Sequence, residues 1–290
     1  MLRTFVAVAR LGSFSGAAVE LGYTQAAISQ QIAALESDLK VPLLNRRPVS
    51  PTEAGGRLLE HAEALLLRLD AARADVTRMT QPPAAALVVG ATPLAAGSPG
   101  LALALSALRR RRPRLDVTVQ VGPHKHVLTA VARGEFDVGL ADGLTAPGDP
   151  LSEFAPLTAV GISQAGVAVV LPCDHPLAGR AGLRLSDLAD ARWIEAPDVT
   201  SPLQEIRRLA GVEGFRPAFR YEGSDVTSLI RLAAAGHGLT VLPDTALPTT
   251  EIASVRVASP RVVHRVELVH GTLREGSPAA ELEALLAPRG

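Results

Sequence analysis

The sequence predicts a chain of class α + α/β: a small helical N-terminal domain, one long helix behind it, and a larger two-lobed α/β domain. Three features point there. Residues 13–36 hold two short amphipathic patterns joined by a glycine, the layout of a helix-turn-helix. Residues 52–80 read as one helix with an apolar seam. Beyond Pro82-Pro83, apolar runs of strand length alternate with helical patterns.

The first helix of the motif sets Ala17, Ala18 and Leu21 on one side, with Ser13 or Ser15 as N-cap. Gly22 stands at the turn, where a left-handed backbone carries no Cβ penalty. Thr24 supplies the next N-cap, and Ile28, Ile32, Leu35 and Leu39 recur at helical spacing along a longer second helix. Its other face carries Gln25, Ser29 and Gln30 near the N-terminus. There, short hydrogen-bonding side chains of a recognition helix meet base edges. The solvated face of a plain helical hairpin would look the same.

From Val41 to Gly55 the chain makes a short extended excursion with Arg46 and Arg47 side by side, then returns to a helix. Such a wing sends arginines into a minor groove or onto phosphates. An ordinary exposed basic pair is the other reading. In the long helix that follows, Leu58, Ala62, Leu65, Leu69, Ala72, Val76 and Met79 alternate spacings of four and three, so two copies can pair along the seam. Packing on its own domain is the alternative. Pro82-Pro83 ends the helix as a stiff joint.

Further on, residues 86–90 read as a strand, 101–110 as a helix, 115–121 as a strand, 126–132 as a helix and 136–141 as a strand, giving a largely parallel sheet. Near residues 157–163 the chain crosses into a second α/β unit, with a strand at 167–171, a helix at 202–210, a strand at 219–222 and a helix at 226–235. A strand at 263–270 and a helix at 278–286 return to the first unit. Two lobes joined by two crossings leave a cleft between them. Ligands bind such sheets at the carboxyl ends of strands, which selects the loops 91–100, 122–126 and 142–150.

Composition narrows the function classes. The 290 residues carry 29 basic and 29 acidic side chains, so DNA affinity cannot come from overall charge. Residues 1–60 hold six Lys or Arg against five Asp or Glu. The sole cysteine, Cys173, excludes an intramolecular disulfide and fits a reducing compartment. A lone thiolate could reach the sulfenate, but no second cysteine resolves it, and the residue reads as part of a loop. No secretory signal and no uninterrupted membrane span are present, so a cytoplasmic chain is expected. No phosphate-binding loop, nucleophile elbow or persuasive carboxylate pair marks an enzyme, and no cofactor is implied.

Residues 1–80 resemble the winged helix-turn-helix and linker helix of a LysR-type transcriptional regulator. The matching features are Phe5-x-Ala7-Val8-Ala9, Gly12-Ser13-Phe14-x-x-Ala17-Ala18, Thr24-Gln25, Ser29-x-x-Ile32, Leu35-Glu36, Pro42-Leu43 and Thr52-Glu53-Ala54-Gly55. Weaker matches follow in Pro172-Cys173-Asp174-His175-Pro176-Leu177 and Gly236-His237-Gly238, and they resemble a sensor of periplasmic-binding-protein-like (type II) fold. The resemblance implies domains at 1–56 (DNA-binding), 57–83 (dimerisation helix and hinge) and 84–290 (effector-binding). It sets lobe I near 84–158 and 262–290, and lobe II near 159–261.

It also implies that Gln25, Ala26 and Ser29 face bases, that Thr24 and Gln30 lie near the backbone, and that Arg47 or Arg46 takes the wing position. Three departures stand out. Ala26 replaces a frequent proline, Gln30 replaces a frequent phosphate-binding arginine, and the wing is about two residues shorter than usual. Members usually have several residues ahead of Leu2-Arg3-Thr4-Phe5, so Met1 falls inside the first helix, as with a start site assigned late.

In the cleft, the family segments place Thr92, Pro123, His124, Thr200 and Ser201. A hydroxyl and free helix N-terminal amides suit a carboxylate or another polar effector. Thr92 and Ser201 could instead simply cap their turns. His124-Lys125-His126 lacks the neighbours that would complete a metal site and reads as loop and helix-start residues at the cleft, with proton sensing open to a histidine there. The partners implied are double-stranded promoter DNA with a partly palindromic site, a small-molecule effector, and a second chain paired through the linker helix. A tetramer of such pairs is implied too, with RNA polymerase a further candidate. The alternatives are a cytoplasmic small-molecule-binding module whose N-terminal helices serve assembly, and a DNA-bending architectural protein.

Overall fold

The computed structural model describes residues 1–80, 86–151, 156–248 and 252–287, which form two compact units, Met1–Arg73 and Ala74–Gly290.

The first unit opens with α1 (Leu2–Leu11), α2 (Phe14–Leu21) and α3 (Gln25–Leu39). Ser13 caps α2 by accepting from the Gly16 N–H, and Thr24 caps α3 by accepting from the Ala27 N–H at 3.2 Å. Gly22 closes α2 at φ +68°, and its N–H and that of Tyr23 turn back onto Ala18 and Val19 carbonyls. The apolar stripes meet in a core of Phe5, Val8, Ala17, Ile28, Ile32 and Leu43, each essentially unexposed. A fully buried side chain of this size contributes about 1.5–3 kcal/mol.

A hairpin of β1 (Leu44–Arg46) and β2 (Val49–Pro51) follows, and then α4 (Glu53–Thr80). Leu58 packs on this core and Ala62 is fully buried, whereas Leu65, Leu69 and Val76 are 52%, 44% and 64% exposed. The first part of the seam therefore serves its own unit, and the later part is uncovered in the single chain. Met79's side chain and the Pro82-Pro83 joint lie outside the described residues.

In the second unit, a five-stranded sheet has the order β4 (Asp116–Val121), β3 (Ala86–Ala91), β5 (Val138–Thr145), β13 (Val263–His270), β6 (Thr158–Ala165). The first three strands are parallel, while β13 is antiparallel to both its neighbours. The sheet is thus mixed rather than largely parallel, because its last two members come from the two crossings rather than from βαβ steps. Residues 159–165, expected in lobe II, pair with β13 in this first sheet. The passage to the other lobe comes at Gly166, between β6 and β7 (Val167–Leu171). Helices α6 (Pro99–Arg111) and α10 (Pro278–Leu286) cover one part of the sheet through Leu101, Leu108 and Leu282. Helix α7 (His124–Arg133) packs on Gly139, where an added Cβ would lie 2.7 Å from Val127.

The other sheet runs β11 (Thr240–Pro243), β7, β12 (Ala253–Ser259), β8 (Leu183–Arg184), mostly antiparallel. Beside it lie the parallel pair β9 (Trp193–Glu195) and β10 (Pro217–Arg220), with α8 (Leu203–Ala210) and α9 (Val226–Ala234). Trp193 is unexposed, donates to the Leu188 carbonyl at 2.9 Å and lies 5.2 Å from the Phe215 ring. The segment 185–188 is a 3-10 turn, and a short helix α5 (Pro93–Ala96) follows β3.

The two cores meet along β5 and β13. Leu140 belongs to the first core and Leu144 to the second; on the facing strand Val266 belongs to the first, and Val262, just ahead of that strand, to the second. Asp142 and His264 therefore sit where both strands pass from one lobe to the other.

Candidate nucleic-acid interface and ligand cavity

On α3, burial of Ile28, Ile32 and Leu35 turns the opposite face outward, and Thr24, Gln25, Ala26 and Gln30 are exposed with Ser29 half-buried. These five form one patch at the helix N-terminus, where amide dipoles favour an anion. The neighbouring Gln31 is tied inward by the Thr4 hydroxyl.

The wing is organised by one carboxylate. Glu36 Oε1 accepts from the N–H groups of Leu43 at 2.8 Å and Leu44 at 3.2 Å, and its Oε2 holds Arg46 at 2.9 Å. Arg46 also lies 5.0 Å over the Phe14 ring. It is therefore engaged within its own domain, while Arg47 is exposed in the turn at the wing tip. Both arginines left open by the sequence are exposed, the Arg46 side chain at 52%, but Arg46 is the one tied down within the domain.

Thr52 joins the wing to α4: its hydroxyl donates to the Pro42 carbonyl at 2.8 Å and accepts from the Gly55 N–H at 3.1 Å. A Cβ on Gly55 would run into the Leu43 carbonyl oxygen, so the Thr52-to-Gly55 motif is the seam between wing and helix.

In the second unit, Thr92, Pro123, His124, Thr200 and Ser201 all line one cavity of about 660 Å³. Thr92 precedes α5 without capping it; its hydroxyl donates to Asp142 Oδ1. Ser201 does not cap α8 either. Its Oγ accepts from the Leu144 N–H at 3.1 Å, and the Thr200 hydroxyl donates to the Val241 carbonyl at 2.9 Å. Glu195 instead accepts from the Leu203 N–H at the start of α8. Of the segment His124-Lys125-His126, His124 and Lys125 line the cavity, while His126 meets the Phe136 ring edge-on at 5.6 Å. Among the described residues, no three His, Cys, Asp or Glu side chains group as metal ligands.

Sequence reasoning passed over Asp142, Asp198, Gln204, Glu205 and Arg208, which also line the cavity. Asp142 stands near the carboxyl end of an apolar strand run, the same signal that singles out Thr92. Its Oδ2 lies 2.7 Å from His264 Nε2, and both side chains are 6% exposed. Glu205 and Arg208 pair on α8.

Burial pushes the His124 imidazole below the usual 6.5, against an opposing pull from the Asp142 carboxylate and a hydrogen bond to the Asp142 backbone. The folded chain therefore takes up this proton at lower pH than the unfolded chain does. The stability involved is fully present above pH 6.5 and is lost as pH falls through 6.5 towards the lower folded value. Thermal unfolding from pH 7.5 to 5 should show a smaller acid-side loss for His124→Asn than for the wild type. Superimposable pH profiles would contradict this.

Two family profiles cover most of the chain: a bacterial regulatory helix-turn-helix protein of the lysR family over residues 1–56, and a LysR substrate binding domain over residues 80–284. A probable hydrogen peroxide-inducible genes activator of Mycobacterium avium is 31% identical over 250 residues, covering 84% of this chain and 77% of that protein. A small neutral protease regulatory protein of Streptomyces coelicolor is 31% identical over 256 residues, covering 84% and 75%. Full-length CbnR, solved in complex with its target DNA, matches with a TM-score of 0.54 at 24% identity over 98% of this chain and 97% of that one.

Proposed function

The chain belongs to the LysR family of bacterial transcriptional regulators, and from that membership we infer how its parts divide the work. It is a DNA-binding regulator with an effector-binding domain, and not an enzyme. Gln25, Ala26 and Ser29 read base edges, Thr24 and Gln30 approach the backbone, and Arg47 meets a phosphate or the minor groove. The observation that carries this reading is the uncovered polar face of α3, set between a packed core and a wing whose tip presents Arg47. The CbnR complex with target DNA supports it by likeness of fold.

Two chains pair along the uncovered seam of α4 and set two recognition helices on a partly palindromic promoter site, with tetramers built from such pairs. No described helix is long and apolar enough to cross a membrane. As a member of a family of bacterial DNA-binding regulators, the chain acts in the cytoplasm. The effector occupies the cavity lined by Thr92, His124 and Ser201. The Mycobacterium relative is named for hydrogen peroxide, but a single cysteine rules out an intrachain disulfide here, so a bound small molecule is the signal we favour. A binding module without DNA recognition would leave the α3 face without a purpose.

Gel-shift titration against DNA upstream of the gene tests the interface. Gln25→Ala should lose about 1–3 kcal/mol of discrimination at one base position. Arg47→Ala should weaken all sequences alike and lower the salt slope by about one. Unchanged base preference in Gln25→Ala would sink the assignment of that face.

A further inference from the structure

Thr92 is only 4% exposed, and among the described residues its hydroxyl meets Asp142 Oδ1 and the Leu140 carbonyl oxygen, the latter at 3.4 Å. Both are acceptors. The hydroxyl proton is therefore committed to the protein, and lone pairs are what Oγ1 offers the cavity. Asp142 cannot swing away to release it, because its second oxygen is held by His264 in a pair 6% exposed on each side.

Ser201 has the opposite polarity. Its oxygen accepts from the Leu144 N–H at 3.1 Å, so its own O–H is the group left to donate. Charge follows the same pattern. Asp142, Asp198 and Glu205 line the cavity against Lys125 and Arg208, and Arg208 is already closed onto Glu205 by bonds at 2.5 and 3.1 Å. Burial holds the His124 imidazole below its ordinary range, which disfavours a cation there.

Resting on the reading of the cavity as an effector site, we propose that its ligand is a 2-amino or 2-hydroxy acid: the ammonium or hydroxyl donates to Thr92 Oγ1 beside Asp142, and the neighbouring acid oxygen accepts from Ser201. A plain carboxylic acid, its oxygens held at Ser201, would set only a methylene against Thr92 Oγ1, leaving a built acceptor unpaired. The carboxylate expected in the cleft thereby falls on the Ser201 side.

Full-length protein titrated with matched acids tests this: phenylalanine, 3-phenyllactate and 3-phenylpropionate; leucine, 2-hydroxy-4-methylpentanoate and 4-methylpentanoate; alanine, lactate and propionate. Binding is read as the shift in unfolding midpoint. In at least one set the amino or hydroxy acid should bind about tenfold or more tightly than its unsubstituted partner. Thr92→Val should bring that ratio close to one, and Thr92→Ser, which keeps the hydroxyl, should restore it. Unsubstituted acids binding as tightly as their donor-bearing partners would overturn the proposal alone, a result the wild-type chain gives even if Thr92→Val does not fold. A ratio that persists in folded Thr92→Val would overturn it too. No shift with any acid would overturn the effector reading of the cavity along with it.

Discussion

Gly55→Ala should markedly weaken DNA binding, while Gly56→Ala, one residue along the same helix, should leave it intact. A Cβ on Gly55 collides with the Leu43 carbonyl oxygen and lies 3.1 Å from its carbon and 3.4 Å from Pro51 Cβ. The obstacle is backbone, and that backbone is pinned. Leu43 donates its N–H to Glu36, and its carbonyl accepts from the Thr52 N–H at 2.9 Å. Relief requires α4 to move off the wing, which breaks the Thr52 bridge and loosens the core that Leu43 closes. Overpacking of this kind costs about 1–3 kcal/mol, a large share of what a domain of some seventy residues possesses. Gly56 has nothing within 4 Å of its Cβ position, so alanine there brings only its helix propensity, a gain of about 1 kcal/mol. Gel shifts and thermal melts of the two variants settle the matter together. Equal behaviour would mean that the wing–helix seam does not hold the domain.

Asp142→Ala should destabilise the effector domain by about 3 kcal/mol, the usual scale for stripping one partner from a buried polar pair. The substitution leaves His264 Nε2 facing no carboxylate and frees the Thr92 hydroxyl. Because Asp142 and His264 stand where β5 and β13 pass between the two cores, the loss falls on the joint between lobes. A ligand whose binding depends on the angle between the lobes would lose its effect as well. A double-mutant cycle isolates the pair: Asp142→Ala/His264→Ala should be less unstable than the two single losses added together, by about 1 kcal/mol or more. Strict additivity in urea unfolding would show that the two residues do not act as a unit.

Much of this molecule is legible residue by residue. Ser13, Thr24 and Gly22 announce the boundaries of α2 and α3 because caps and left-handed turns are settled within three or four residues. The seven-residue rhythm of α4 is local in the same sense. The strands at 167–171 and 263–270 and the helix at 278–286 come out at the expected bounds, since each is an apolar run closed by Pro, Gly or a cap. Strand ends alone pick out the loops after β3 and β4, which hold Thr92, Pro123 and His124, whereas Thr200 and Ser201 come only from the resemblance to the family's segments.

What spacing cannot supply is which distant segments meet. The antiparallel insertion of β13 between β5 and β6 pairs residues 99 or more positions apart, so the sheet is mixed although its first three strands read as parallel. Asp142 finds His264 across 122 positions, and neither residue looks unusual in its own neighbourhood. Arg46 and Arg47 are equal as sequence; Glu36 and the Phe14 ring draw in the first and leave the second at the tip. Gly55 and Gly56 are likewise alike until Leu43 is folded against one of them. Helices, caps and turns are decided by bonds that close within a few residues, and the sequence names them. Polarity inside the cavity, the joint between the lobes and which arginine is tied down are decided by long-range packing, which exists only once the chain has folded.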